Sequence, residues 1–249
     1  MTSRNWEPFR RTAAARIAAA VALFLSGHAA SAQNLSILPV NVFLPAGQKA
    51  ASLSLTNHGD KPTSIQVRAY DWGQRNDEDQ LTDSKLIVVS PPLVTISAGG
   101  TQIIRLILRQ TPVASEATYR IVLDQIPGPN EPGVVQMVLR LSIPVFASPE
   151  IKVVPQPQFH LERDAERLFL VGVNTGKSHE TLHDIVATAS DGRKFNVKTK
   201  VSPYLLVGAT RRWELDAQGH APQPGETLTL TAHGIIGAIE EQVRVIATP

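Results

Sequence analysis

Beyond residue 34 the chain reads as short runs in which apolar and polar positions alternate, and the period is that of strands. In a strand, residues two apart share a face. From Val134 to Phe146 one row holds Val135, Met137, Leu139, Leu141 and Ile143, while the other, Val134, Gln136, Val138, Arg140 and Ser142, is mixed. An apolar row packs on its own core by default. A strand this long and β-prone can also lend part of that row to another protein.

Upstream, Asn34 to Leu44 is extended and broken by Pro39, which suits an edge strand because proline cannot donate to a central ladder. Ala51 to Leu55 alternates strictly and closes at Asn57-His58-Gly59-Asp60, and Thr63 to Trp72 is the next run. Gly73 to Lys85 is charged and reads as a loop. Leu86 to Ser90, Leu93 to Ile96, Thr101 to Arg109 and Thr118 to Ile126 follow, separated by Pro91-Pro92, Ala98-Gly99-Gly100 and the Pro127–Gly133 turn. About seven strands with turns every 8–12 residues predict an immunoglobulin-like sandwich. Ala147-Ser148-Pro149 reads as a linker, after which strands are expected at 151–154, 168–174, 181–189, 194–201, 209–215, 227–233 and 241–246. A lone sheet needs a partner layer, so this block is read as a second, smaller sandwich. The fold class is all-β, two immunoglobulin-like domains in tandem, 33–147 and 148–249.

The first residues do not read as fold. Arg4, Arg10, Arg11 and Arg16 precede an apolar run from Ile17 to Leu25, and Ala30-Ser31-Ala32 supplies a cleavage pattern, so 1–32 is expected to be a signal peptide. The run is too short to span a bilayer, and no later stretch approaches roughly 20 apolar residues, so no membrane insertion is expected. Four Arg against one Glu give the leader +3, so the formal +2 of the chain becomes −1 beyond it. Net charge therefore argues for no basic partner surface, and nucleic acid is not expected as a partner. The chain has no cysteine, which excludes thiol chemistry and leaves both domains to core burial.

One catalytic motif occurs by spelling. His179-Glu180-Thr181-Leu182-His183 matches H-E-x-x-H, which holds zinc only on a helix, where both His face one ion. In a strand the two would stand roughly 13 Å apart. The flanking Asn174–Ser178 turn and the β-branched Ile185–Ala189 run favour the strand, so no metal, no cofactor and no enzyme activity is expected. G-x-S-x-G is also missing. Arg211-Arg212 is read as a solvated pair, with an interdomain or partner contact as the alternative.

The leader, the long alternating strand closing the first sandwich, the Tyr119–Pro127 run Tyr-Arg-Ile-Val-Leu-Asp-Gln-Ile-Pro, Pro144-Val145-Phe146 and the second sandwich together resemble the periplasmic pilus-assembly (PapD-like) chaperones of the chaperone–usher pathway. Pro45–Lys49, Ser142–Phe146 and Tyr204–Trp213 look like the spore-coat-protein-U/Csu-associated, archaic branch. The resemblance implies a periplasmic chaperone that binds pilin or fimbrial subunits by donor-strand complementation and delivers them to an outer-membrane usher. Mapped here, the donor row is Val135, Met137, Leu139 and Leu141. The family anchors the subunit's C-terminal carboxylate with an Arg and a Lys, but the matching places hold Asn41 and Pro144, so Arg105 and Arg140 become the candidate anchors. Glu116 and Arg120 fall where the family has charged residues near the interdomain cleft. An exposed apolar edge also invites self-capping as a homodimer. The rival reading is a secreted two-sandwich adhesin or carbohydrate-binding protein, which calls for a surface aromatic cluster.

Overall fold

The computed structural model describes residues 35–128, 133, 136–198, 202–217 and 221–247. The expected signal peptide, 1–32, and Val135 lie outside the described residues. All regular elements among the described residues are strands, arranged as two immunoglobulin-like sandwiches.

In the first, β1 (Leu35–Leu38), β3 (Ala50–Asn57), β8 (Thr101–Leu108) and β6 (Ile87–Ser90) form one sheet in that order. The facing sheet runs β2 (Val42–Leu44), β10 (Arg140–Ala147), β9 (Ala117–Ile126), β4 (Thr63–Arg75) and β5 (Glu78–Asp83), with β7 (Leu93–Ile96) also on β4. Alternation decides what lies between the layers: Leu53 and Leu55 from β3, Ile104, Leu106 and Leu108 from β8, and Ile65, Val67, Ile121, Leu123, Ile143 and Val145 from the other sheet are all buried in one core. The first extended segment, expected as an edge strand, is the edge of both sheets. It pairs antiparallel with β3 as β1, crosses over after Leu38, and pairs parallel with β10 as β2.

The second sandwich comprises β11 (Pro157–Asp164), β12 (Arg167–Asn174), β13 (Glu180–Thr181), β14 (His183–Thr188), β15 (Lys194–Asn196), β16 (Tyr204–Leu205), β17 (Thr210–Leu215), β18 (Thr227–Gly234) and β19 (Gly237–Ala247). Seven of these follow one another as β15-β14-β18-β19-β11-β12-β17, and β13 pairs with β16. The ends of the seven-strand run meet where Val197 bridges Leu215, the Lys198 N–H donates to Glu214 O (2.8 Å) and the Asp216 N–H to Asn196 O (2.8 Å). Leu161, Leu168, Leu170, Trp213, Leu215, Leu228, Leu230, Val243 and Val245 fill the interior.

Three expectations need correction. Gly73–Lys85 is not a loop: β4 continues to Arg75 and turns back into β5 through Asn76 and Asp77, both at positive φ (52° and 64°). Asn and Asp tolerate that conformation better than most residues. The last strand of the first domain, expected from Val134, begins at Arg140: upstream of it the described residues 136–139 are not strand, and the contact with β9 continues as the Gln125 N–H donating to Leu139 O (2.9 Å). The strand expected at 151–154 is absent, and the first of the second domain is β11, whose His160, Glu162, Arg163 and Asp164 hide its periodicity. Trp72 and Trp213 are both interior, so neither contributes to a surface aromatic cluster.

The two domains share a device, a buried asparagine at the end of one strand in each. Asn57 ends β3 and Asn174 ends β12; each is fully buried and each is followed by x-Gly. Asn57 Nδ2 donates to Lys61 O (2.8 Å) and Ile96 O (3.1 Å), and its Oδ1 accepts the Gly59 N–H (3.0 Å). Asn174 Nδ2 donates to Ser178 O (2.8 Å) and Leu205 O (3.1 Å), and its Oδ1 accepts from Gly176 (3.0 Å) and Gln156 (3.1 Å). Gly176 must be glycine, since a Cβ would stand 2.4 Å from Gln156 N and 2.6 Å from Val154 O.

Replacing Asn174 with Ala leaves several buried main-chain groups unpaired and is expected to cost about 2–4 kcal/mol, with Asn57→Ala similar, read from urea melts. A second outcome concerns Tyr119, whose burial, aided by Asp71, pushes the phenol up to about 12. The folded value lies above the unfolded one near 10, so its contribution is complete below pH ~10 and is lost on rising toward 12. The urea midpoint should fall across that window by an amount on the order of 2 kcal/mol, and Tyr119→Phe should flatten the fall.

Candidate functional site: an interdomain cleft and an open margin

Strand register sets up the contact between the domains. Phe43 lies opposite Phe146, Phe146 opposite Thr118, and the Thr118 hydroxyl donates to Trp72 O (2.6 Å), so Phe43, Phe146, Thr118 and Trp72 form one row across β2, β10, β9 and β4. This row is on the outer face of the sheet, where water would normally lie. Instead Phe146 and Trp72 are buried with the core of the second domain. Tyr204 meets the Trp72 ring edge-on at 5.2 Å, and His179 stacks on Phe146 at 3.6 Å and 7°.

Charges are carried into the same contact. The Arg120 guanidinium lies 3.7 Å from the Trp72 ring centroid and 5.4 Å from that of Tyr204. Burial lowers its pKa, and Asp79 works against that. Asp79, on β5, reaches both Arg120 (3.5 Å) and Arg211 (3.2 Å). The rest of the β4–β5 hairpin reinforces the strap: Gln74 donates to Tyr204 O (3.0 Å) and accepts from the Leu206 N–H (3.0 Å), and Asp77 accepts from the Arg212 N–H (2.8 Å). Burial also raises the Tyr204 phenol, with Arg120 opposing.

Beside this contact opens a cleft of about 420 Å³. Asn41, Phe43, Glu116, Phe146, His179 and Tyr204 are among its walls. Glu116 precedes β9 and His179 belongs to the second domain, yet His179 Nδ1 and Glu116 Oε1 are 2.7 Å apart, and the His179 N–H donates to the same oxygen at 3.0 Å. The rest of His179–His183 is extended, as its flanks predict. Glu180 accepts the N–H groups of Thr181 (2.9 Å) and Ile235 (2.6 Å), and His183 is exposed at the start of β14. His179 and Glu180 thus serve separate contacts.

The other feature is a margin of the first sandwich. β10 is paired with β9 along its whole length, but β2 covers only Val145–Ala147. Among the described residues no strand therefore pairs with Arg140–Pro144 on its second side. Here Leu139 and Leu141 are half-buried beside Leu35, Leu55, Ile65 and Leu123 at the mouth between the sheets. Met137 is 90 % exposed. Of the residues singled out from sequence, Leu139 and Leu141 come together at this margin, Met137 stands clear of it, and Val135 is outside the described residues. Arg105 projects from the outer face of β8 opposite Ser52 and Ser90, and Arg140 pairs with Asp124, which Arg68 also holds. Neither lines the cleft, because both belong to outward rows away from the second domain. Phe43, Asp79 and Gln74 were not anticipated; the first hid as an ordinary strand residue and the others in a segment read as loop.

Tandem immunoglobulin-like sandwiches, joined through a buried aromatic row and open along one margin among the described residues, define a two-domain protein. Residues 34–153 match the family of pili and flagellar-assembly chaperones, PapD N-terminal domain. The match lies in the first domain, and it is that domain which is assigned to the PapD-like pilus-assembly chaperones. The family's role is that of a chaperone, a non-enzymatic one. Among solved structures, a chain of the CsuC–CsuE chaperone–tip adhesion subunit pre-assembly complex from the archaic chaperone–usher Csu pili of Acinetobacter baumannii shares the fold at TM-score 0.63 and 20 % identity, covering 87 % of this chain and 100 % of that one. The YadV chaperone does so at 0.61 and 16 %, over 85 % of this chain and 100 % of that one. The complex of Salmonella enterica SafA pilin with the SafB chaperone gives 0.57 and 16 %, over 88 % and 98 %. No curated protein matches the chain by sequence.

Asp79→Ala is expected to leave Arg120 and Arg211, whose side chains are 11 % and 8 % exposed, without their counter-charge. Because Asp79 itself is 31 % exposed, the cost should be nearer about 2 kcal/mol than the 3–5 of a sealed pair. Calorimetry should show the single transition broaden or split as the domains uncouple.

Proposed function

We propose that the chain is a periplasmic chaperone of the archaic chaperone–usher branch that holds pilin or fimbrial subunits by donor-strand complementation and passes them to an outer-membrane usher. The observation that carries this reading is the uncovered half of β10. Its main chain from Arg140 to Ile143 can ladder with an incoming strand, and Leu141, Leu139 and Met137, with Val135 the next position of the same alternation in the sequence, supply the apolar row that an incomplete subunit sandwich can bury. Ladder bonds give affinity that tolerates different subunits, and a methionine adapts to differing grooves. The Csu and Salmonella structures, in which the chaperones are held with a tip adhesion subunit and a pilin, support subunits as the partner class. In the absence of a subunit the same edge invites a second copy, so the free chain is proposed to self-cap as a dimer.

Met137→Asp together with Leu139→Asp should lower subunit affinity by at least tenfold, since each buried apolar side chain contributes roughly 1.5–3 kcal/mol before ordering costs. The measurement is co-expression with candidate pilins and recovery of the complex from periplasm, with the variant's own melt as a control. Normal recovery with a folded variant would remove the donor role.

A further inference from the structure

The cleft between the domains has a charge pattern of its own. Among its described lining residues Glu116 is the one formal charge, and its side chain is 6 % exposed. Arg120 and Arg211 face Asp79 and do not line the cleft, and Lys177 meets Glu116 through its main-chain carbonyl. His183 shares the lining, while Asp184 beside it pairs with His233 at the surface.

His179 is the other half of the site. It is 4 % exposed, and its Nδ1 contact with Glu116 makes Nδ1 the protonated nitrogen of the neutral ring. Nε2 is then a free acceptor. It makes no hydrogen bond with any described residue and is not among the sealed polar atoms, so it meets the open space of the cleft. The rings of Phe146, Tyr204 and Phe43 stand 3.6, 6.2 and 6.4 Å from the imidazole centroid, and Phe43 is 60 % exposed. Glu116, Nε2 and Phe43 therefore offer a negative charge, a hydrogen-bond acceptor and an aromatic surface to whatever enters.

We infer that this cleft is a cation site, taking the ammonium or guanidinium of a basic side chain on the bound partner. The carboxylate supplies attraction in a poorly hydrated setting, Nε2 accepts an N–H, and the aromatic rings suit a cation on an apolar stem. A carboxylate entering the cleft would meet Glu116 with no counter-charge among the lining residues. The partner as source of the basic group rests on the subunit-binding reading; the site itself does not.

The test uses the purified chain and two small probes, N-acetyl-lysine methylamide and N-acetyl-glutamate methylamide, followed by the ring-proton NMR shifts of His179. The lysine probe should move those signals at pH 8, and the glutamate probe should not. Glu116→Gln should weaken the lysine response at least fivefold. Phe43→Leu, at an exposed position, should weaken it about twofold or more and decides the matter if the first variant does not fold. Preference for the glutamate probe, silence toward both probes, or an unchanged lysine response in the folded variants would each overturn the inference. Because no subunit is present, loss of subunit capture with an intact lysine response would sink the proposed function and leave the cation site standing.

Discussion

The contact on which the rest depends is the row Phe43, Phe146, Thr118 and Trp72, an outer face of one sandwich turned into the inner face of another. Sandwiches bury the rows between their own sheets and leave the opposite rows to water. Here the second domain supplies the missing cover. Burial of a Trp and a Phe brings area that dominates most interfaces, and it explains why the outward row of β4, β9 and β10 is aromatic at the end nearest the second domain and charged, with Arg68, Asp124 and Arg140, at the other.

Once that row is covered, polar groups nearby must be satisfied inside the contact, because a buried charge without a partner is costly. Arg120 follows from the register: it is one step along β9 from the aromatic row and on the same face, so the second domain covers it too. The β4–β5 hairpin answers with Asp79, and the same hairpin brings Gln74 to the main chain at Tyr204–Leu206. Glu116 and His179 are the second such answer, on the cleft side. A contact built from an aromatic row and two cross-domain polar groups fixes one arrangement better than apolar burial alone, since each polar group has geometry to satisfy.

Much of this was legible in the residues. Leu53 and Leu55 announced their strand because period-two alternation survives any detail of topology, and Glu116 and Arg120 were marked as residues near a cleft, whereas Arg211, read first as half of a solvated pair, is buried against Asp79. What was not legible had no alternation to read. All six residues of β5 are exposed, so the hairpin looked like a loop. β11 places Phe159 and Leu161 among charges, and its inward row is visible only once β12 and β19 flank it. Asn57 and Asn174 were seen as turn residues, which they are, but the buried amide that organises each turn cannot be inferred from x-Gly alone. Phe43 was invisible for the opposite reason: a single exposed aromatic in a short strand has nothing to distinguish it until its row is known.

The uncovered half of β10 is a consequence of how one segment serves two sheets. The chain from Leu35 to Leu44 spends its first strand on β3 and its second on β10, so neither sheet is fully closed at that edge. Closing β10 would require the whole segment to stay with it, which would uncover β3 instead. An edge must therefore be left somewhere, and bare apolar edges invite association. Arg140 at the start of β10, held by Asp124, sets a charge on the outward row of this one, while the inward row beside it stays apolar with Leu139 and Leu141. Charge on one row discourages indiscriminate stacking of sheets without closing the ladder itself. Under the proposed function such a margin would be selective toward a strand that brings its own apolar groove to the inward row, the physical condition under which an edge can be both safe in a folded protein and open to a chosen partner.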